Sequence, residues 1–207
     1  MCIRDRGRIN KGAAKILFGK VYLTKGDFQK AKDKLAEVVE HESEYGFGLH
    51  KDYHANWLRD TEAGIEAVLY IEYKEPPFQH NGEMALAGPK YSIPGSLGIS
   101  ALNEADIPTQ ELYDQFDNRD LRKKTNFKTE FAHLKTGEIL KSSIPLSGKF
   151  WVEGLETGDR CDVNMHIIRY ADAILMYAEA LNEVGESTKA LAMLNRIRER
   201  AFGDDSG

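Results

Sequence analysis

The sequence predicts a mainly α-helical protein, built from two helical hairpins with an irregular, loop-rich insertion between them. Two observations carry this prediction. An apolar stripe with alternating steps of three and four residues occurs twice, once near each end of the 207-residue chain. All six prolines fall between residues 76 and 145, so neither hairpin contains the residue that most strongly breaks a helix.

The early hairpin is predicted over residues 11–40. Lys11–Thr24 and Phe28–Glu40 are the two helices, and Gly26 lies in the turn because glycine adopts the left-handed conformation that ends a helix. The late hairpin repeats this arrangement, with Asn164–Val184 and Thr188–Ala201 on either side of Gly185.

The late hairpin carries the clearer apolar pattern. Its second helix is expected to be capped by Ser187 or Thr188. The stripe residues are Ile167, Ala171, Ile174, Ala178 and Leu181 on the first helix, and Ala190, Leu194, Ile197 and Ala201 on the second. Because neither hairpin can bury its stripe alone, we expect the two to share one helical body.

The two hairpins are in register, 159 positions apart. Each hairpin has a small residue (Gly19 or Ala178), a glycine seven positions later and an alanine five positions after that. This is the tetratricopeptide spacing. The matched pairs are Gly26 with Gly185, Ala31 with Ala190, Leu35 with Leu194, and Val38 with Ile197. Two unrelated amphipathic hairpins are the alternative.

The insertion, residues 41–165, is expected to hold short strands and helices, because a structureless loop of that length is unusual in a compact domain. The predicted elements are a strand over Glu66–Lys74 stopped by Pro76-Pro77, a surface loop over Gly82–Gly98, a short helix over Pro108–Phe116 capped by Thr109, and a strand over Lys149–Val152.

These segments resemble one known family. The run HIIRYADAILMYAEALNEVG, followed by ALAMLNRIRERA, is similar to the C-terminal signature of the SusD/RagB family, nutrient-binding lipoproteins on the surface of Bacteroidetes. Residues 13–39 are similar to that family's central tetratricopeptide helices, and residues 62–74 give a weaker match. Residues 107–121 (IPTQELYDQFDNRDL) are similar to its P-T-x-E-L segment, although Asn118-Arg119-Asp120 replaces the usual Asp-x-Arg order.

The resemblance covers roughly residues 11 to 203 and implies one SusD-like domain fragment over residues 1–207. Its parts are the hairpin 11–40, the insertion 41–165 and the hairpin 166–201. Family members are longer, so we expect this sequence to be about half of a protein. Met1–Arg6 (MCIRDR) matches no start in the family.

The resemblance also implies a function. The protein would bind a glycan or similar nutrient without catalysis and deliver it to a SusC-like TonB-dependent transporter. It would be a surface-exposed lipoprotein of the outer membrane, anchored by lipid on chain not shown here, and no cofactor is expected. A soluble tetratricopeptide-type scaffold is the alternative, but it predicts tandem repeats of ~34 residues, and residues 40–166 separate these two.

The amino-acid composition narrows the possible classes of protein further. With 28 basic and 33 acidic residues the net charge is −5, which argues against a nucleic-acid-binding protein. The two cysteines, Cys2 and Cys161, are too few for a disulfide framework. No apolar stretch precedes Cys2 as a signal sequence would, and none approaches the ~20 residues of a transmembrane helix.

Catalytic and metal-binding patterns are not found in the sequence. A glycoside hydrolase needs two carboxylates at defined positions. Because the chain has 33 acidic residues, closeness in the sequence does not identify such a catalytic pair. His50 and His54 are four residues apart, but no glutamate follows His50 as in a zinc-protease motif, and Gly46 and Gly48 favour a loop. We therefore predict no enzyme and no metal site.

Aromatic residues outside the hairpins are the candidate ligand-binding residues, because flat sugar faces stack on aromatic rings. We place Tyr91 first, since a tyrosine flanked by polar residues in a Gly/Pro loop has little reason to pack. Trp151 is second, and Trp57 is third because its neighbour Leu58 suggests packing. Phe78 and Tyr53 are further loop aromatics. The alternative for each is that the ring packs loops onto helices.

Overall fold

The computed structural model describes residues 9–74 and 81–203. Met1–Arg6, Pro76-Pro77 and Phe78 lie outside the described residues. The helices are α1 Lys11–Thr24, α2 Phe28–Val39, α3 Glu42–Tyr45, α4 Glu83–Ala87, α5 Gln110–Gln115, α6 Arg122–Asn126, α7 Tyr170–Glu183 and α8 Ser187–Phe202. The strands are β1 Ala67–Ile71, β2 Phe127–Ala132, β3 Ile139–Ser147 and β4 Met165–Arg169. The mainly α class is confirmed.

The described residues divide into two compact units. The first, which we call the helical unit, comprises residues 9–56, 60–71 and 166–203. The second, the insertion unit, comprises residues 57–59, 72–74 and 81–165. A single domain over residues 1–207 stays a prediction.

The early hairpin of the helical unit forms as predicted. α1 begins after Asn10, whose side chain accepts a hydrogen bond from a backbone N–H of the first turn, and α2 ends one residue before Glu40. Gly26 has φ +73°, the conformation that favours glycine in this turn. At Gly19 a Cβ atom would lie 2.5 Å from Cγ of Leu35, so the small residue is what lets the two helices approach.

The late hairpin differs from its prediction at its start. A helix from Asn164 is wrong, because Met165–Arg169 form β4, which pairs with β1, and α7 begins only at Tyr170. The carboxylate of Asp172 accepts the backbone N–H of Arg169 at 2.7 Å and marks the change from strand to helix. Ile167 therefore lies on the strand, where it is 52% exposed, rather than on the helical stripe.

The second helix of this hairpin also begins differently. Glu186 occupies the N-cap position without a side-chain hydrogen bond, so a cap by Ser187 or Thr188 is wrong. The Ser187 hydroxyl instead donates to Oδ1 of Asn182 at 3.1 Å. The turn itself is as predicted, with Gly185 at φ +84°.

The two hairpins share one core, which confirms the predicted helical body. α2 packs against α7, so that buried residues of both hairpins form a single apolar cluster. Its members include Ile16, Leu35 and Val38 from the early hairpin and Ile174, Tyr177, Leu181, Ala190 and Ile197 from the late one.

Matched positions of the two repeats differ in burial. Tyr177 is 4% exposed because α7 lies against α2, whereas its counterpart Phe18 on α1 is 58% exposed. Likewise Leu35 is fully buried and Leu194 is 40% exposed. Which residue of each matched pair is buried therefore depends on which helices pack against each other, and not on the repeat pattern.

The insertion unit contains the antiparallel hairpin of β2 and β3, in which Phe127 pairs with Ser147 and Ala132 with Ile139. The short helix α5 is confirmed, and Thr109 caps it by accepting the backbone N–H of its third residue at 3.1 Å. α4 lies within the predicted loop Gly82–Gly98 and buries Met84 completely.

The predicted strand over Lys149–Val152 is wrong. β3 ends at Ser147, and the backbone N–H of Trp151 donates to the carbonyl oxygen of Gly148 at 3.2 Å, which closes a turn. A Cβ atom at Gly148 would lie 2.6 Å from the carbonyl oxygen of Thr125, so the chain bends there against another backbone segment. The predicted strand Glu66–Lys74 is confirmed in its central part, as β1.

Candidate ligand-binding site

Tyr91 lies on the surface of the insertion unit and is 77% exposed, as expected for a tyrosine that has little reason to pack. Lys90 is also exposed, and its ammonium group lies 5.2 Å from the centroid of the Tyr91 ring. Pro89, Ser92 and Ile93 on either side are buried. The loop therefore presents one aromatic ring and one cation to solvent between buried neighbours.

The backbone of this loop is hydrogen-bonded along its length. The carbonyl oxygen of Ser92 accepts the N–H of Ser143 from β3 at 2.9 Å, and that of Leu97 accepts the N–H of Leu134 at 2.8 Å. Further along, the N–H of Ser100 donates to the carbonyl oxygen of Glu156 at 2.9 Å. Composition predicts a surface loop here but says nothing about these bonds, which hold it in one conformation.

The carboxylate of Glu104 binds the same loop. Its Oε2 accepts the backbone N–H groups of Lys90 (2.8 Å), Tyr91 and Ser92 (3.0 Å). Burial raises the pKa of this carboxyl, but the backbone hydrogen bonds outweigh burial and the net effect is a lowered pKa. Sequence reasoning missed Glu104, since no local pattern distinguishes it from the other acids.

Trp151 is half-buried in the insertion unit. Its ring packs edge-on against Phe131 with centroids 4.7 Å apart, and its indole N–H donates to Oε1 of Glu153 at 2.8 Å. The Lys128 ammonium binds the same Glu153 oxygen at 2.9 Å and lies 5.8 Å from the Trp151 ring centroid. Phe131 and Ile93 belong to one apolar cluster, so this cluster supports both Trp151 and the Tyr91 loop.

Trp57 is buried, at 7% exposed, and meets Phe150 edge-on with centroids 5.6 Å apart. The Lys149 ammonium lies 5.1 Å from its ring centroid. Leu58, the neighbour that suggests packing at Trp57, is itself 43% exposed. The structure thus favours a packing role for Trp57, and a role in binding stays only a prediction. Tyr53, in the helical unit, is also buried, at 7% exposed.

A buried charge cluster in the helical unit was also missed. Glu66 is fully buried, and its carboxylate binds Arg169 at 3.0 Å and Arg200 on its other oxygen. The backbone N–H of His50 (3.1 Å) and the amide of Asn56 (3.2 Å) donate to it as well. The only local signal is that an acidic residue directly precedes the strand β1. This arrangement is structural, because Glu66 is closed to solvent.

A groove of about 180 Å³ lies in the helical unit. Its lining includes the apolar residues Val39, Leu181 and Met193, together with charged residues. Two of these are already engaged: Glu40 accepts the Tyr177 hydroxyl at 2.6 Å, and Arg196 binds Glu42 at 2.8 Å. The groove therefore offers few free polar groups for a ligand.

Among residues 9–74 and 81–203, no three His, Cys, Asp or Glu side chains are arranged to hold a metal ion. Of the two histidines considered as metal ligands from the sequence, His50 donates its backbone N–H to Glu66, and His54 donates its backbone N–H to Asp52 at 2.9 Å.

Within residues 9–74 and 81–203, none of the helices has the length and apolar character needed to cross a membrane.

His166 makes the stability of the helical unit depend on pH. Burial lowers the pKa of its imidazole and outweighs the hydrogen bond from Nε2 to the carbonyl oxygen of Glu62 (2.9 Å), which raises it. The unfolded state, with the usual value of 6.5, binds more protons between the two pKa values, so stability falls as pH is lowered through this window.

We expect the urea midpoint of unfolding to fall between about pH 7 and about pH 5, and to fall less in His166→Gln. His41→Gln, at an exposed position, is the control and should keep the parent's pH dependence. Equal pH dependence in His166→Gln and the parent would contradict the assignment.

Known proteins resemble this chain in sequence and in fold. The family model described as the SusD family matches residues 149–207. SusD-like protein P2 of Formosa agariphila is 29% identical, in a match covering 95% of this chain and 42% of that relative. The chain therefore spans less than half the length of this relative.

Solved structures agree in fold. A SusD superfamily protein from Parabacteroides distasonis has a TM-score of 0.80 at 24% identity, over 97% of this chain and 46% of that one. Surface glycan-binding protein A from Bacteroides thetaiotaomicron, in complex with laminarihexaose, has 0.72 at 18% identity, over 95% and 48%. A laminarin binding SusD-like protein has 0.72 at 24% identity, over 95% and 48%. The fold is SusD-like, as predicted.

Proposed function

We propose that this chain is part of a SusD/RagB-family protein that binds oligosaccharides at the cell surface without transforming them, because the SusD family model matches its C-terminal residues and its fold is SusD-like. Two neighbours in fold support a glycan as the ligand, one named for binding laminarin and one solved with laminarihexaose. The prediction that the chain is not an enzyme agrees with these names, which describe binding.

The observation that carries the proposal is the exposed Tyr91 ring on a hydrogen-bonded loop. A ring carried by a fixed backbone has fewer conformations to lose when a sugar stacks on it, so more of the stacking energy remains as affinity. The half-buried Trp151, on the same apolar cluster as Ile93, is the second proposed contact. Trp57, the third predicted contact, is buried against Phe150, which favours a packing role.

Tyr91→Ala should weaken binding of laminarihexaose by roughly 2- to 10-fold, because each aromatic contact contributes about 0.5–1.5 kcal/mol beyond its buried area. Trp151→Ala should act in the same direction. The measurement is calorimetric titration with laminarihexaose and a panel of other glycans, after confirming an unchanged melting temperature.

Phe18→Ala is the matched control, since Phe18 is an aromatic residue 58% exposed in the helical unit. It should leave the affinity unchanged. If Tyr91→Ala and Trp151→Ala both bind every glycan that the parent binds with equal affinity, the proposed site is wrong.

We further propose that the full-length protein is a lipoprotein at the surface of the outer membrane and passes its ligand to a SusC-like TonB-dependent transporter. The match to the SusD family model supports this location and this partner. Transfer favours modest affinity, because a tight complex releases its ligand slowly. Cell fractionation that finds the intact protein in the cytoplasm would exclude this proposal.

A further inference from the structure

One carboxylate oxygen lies at the centre of the Tyr91 loop. Oε2 of Glu104 accepts the backbone N–H groups of three consecutive residues, Lys90, Tyr91 and Ser92. Three successive amides can converge on one oxygen only when the backbone curves around it. The carboxylate therefore determines the path of the backbone that carries the exposed ring.

The segment around Glu104 is itself held in a disfavoured conformation. Glu104 has φ +52° and Ala101 has φ +56°, in the left-handed region that residues with a Cβ atom rarely occupy. Such residues persist where surrounding contacts over-determine them, and they are concentrated at ligand-binding sites.

Hydrogen bonds to the end of α4 hold this segment. The N–H of Asn103 donates to the carbonyl oxygen of Ala85 (2.7 Å), and the N–H of Glu104 to that of Gly88 (3.0 Å). At Gly88 a Cβ atom would lie 2.4 Å from Cδ2 of Leu102, so this glycine allows the segment to approach α4 closely. Glu104 thus has a fixed backbone from which its side chain reaches the loop.

We propose that Glu104 is the positioning residue of the ligand site: its carboxylate holds the backbone of residues 90–92 so that the Tyr91 ring is presented in its binding orientation. This inference rests on the proposed function for its ligand role. Hydrogen bonds to an ionised carboxylate are about twice as strong as neutral ones, so a charged residue suits this role. A glutamate with its ordinary pKa is already ionised at neutral pH, and the lowered pKa of Glu104 keeps it ionised in more acidic solution as well.

Two variants of the whole chain test the positioning role. Glu104→Gly removes the carboxylate, and glycine accepts φ +52° without a steric penalty, so the variant should fold. Glu104→Gln keeps the side-chain length and removes the charge. Glu138→Gln, at an exposed glutamate of the same unit, is the control.

Hydrogen exchange gives a readout that does not depend on the ligand. The amides of residues 90–92 should exchange roughly 10-fold faster in Glu104→Gly, and less so in Glu104→Gln, because protection falls as local opening becomes easier. The control should exchange like the parent. Unchanged exchange at residues 90–92 in both Glu104 variants would overturn the proposal.

Affinity for laminarihexaose gives the second readout. Glu104→Gly should weaken binding by about 3- to 10-fold, since the ring must then be ordered on binding. In the Tyr91→Ala background the same change should have no further effect. An additional loss there would show that Glu104 acts other than through Tyr91, and would overturn the proposal.

The two proposals fail in distinguishable ways. If Tyr91→Ala weakens binding but both Glu104 variants bind like the parent, the positioning role is wrong and the proposed function stands. If Tyr91→Ala and Trp151→Ala both bind like the parent, the proposed site itself is wrong. In that case Glu104 has no ligand role, whatever its effect on hydrogen exchange.

Discussion

Glu66→Gln is expected to lower the free energy of unfolding by about 3–5 kcal/mol, the cost of removing one partner of a buried ion pair. Glu66 is fully buried, and its carboxylate is the shared acceptor for Arg169 and Arg200. The Arg200 side chain is only 6% exposed, so without Glu66 its charge would be desolvated and uncompensated. The glutamine amide can replace a hydrogen bond but not the negative charge.

Urea denaturation of parent and variant measures this effect. The control is Glu37→Gln, since Glu37 on α2 also contacts two cations, Lys15 and Lys34, but its side chain is 39% exposed. Water screens such a pair, so the control should cost less than about 1 kcal/mol. Equal losses in the two variants would show that the Glu66 cluster is not the buried anchor of the helical unit.

Ile174→Ala should destabilise the chain by about 2–5 kcal/mol, the usual cost of truncating a buried isoleucine. Ile174 is fully buried on α7, in the cluster where the two hairpins meet. Removing its outer carbons loses apolar burial and leaves a cavity that the surrounding helices fill only partly.

The neighbouring residue provides the control. Leu175 is on the same helix but is 38% exposed, so Leu175→Ala removes a similar volume outside the shared core. Thermal or urea unfolding should show a much smaller loss for Leu175→Ala than for Ile174→Ala. If the two substitutions cost the same, the core between the hairpins is looser than the structure shows.

The hairpins were predictable because their signals are local. α1 has the predicted bounds, Lys11–Thr24, and Gly26 and Gly185 both have the positive φ that their positions in the turns require. The start of α7 was not predictable in the same way. The residues before Tyr170 continue a helical spacing of apolar residues, but pairing with β1 makes them a strand.

The candidate site likewise has features that the sequence predicts and features that depend on the fold. Polar flanking residues in a Gly/Pro loop predicted an exposed Tyr91, and it is exposed. Trp57 is third among the predicted contacts because its neighbour Leu58 suggests packing, and its burial against Phe150 agrees with that reason, although Leu58 itself is exposed. Glu104 is 13 residues beyond Tyr91, and nothing in the intervening sequence indicates their contact.

The sequence by itself determined the two helical hairpins and their glycine turns, because periodic apolar spacing and glycine conformations act over a few residues. Only the tertiary structure decided that Tyr177 is buried while its repeat counterpart Phe18 is exposed. It alone placed Glu66 between two arginines and Glu104 beneath the Tyr91 loop. Those outcomes depend on which distant segments meet, and that is set by the combined packing of whole elements rather than by any short pattern.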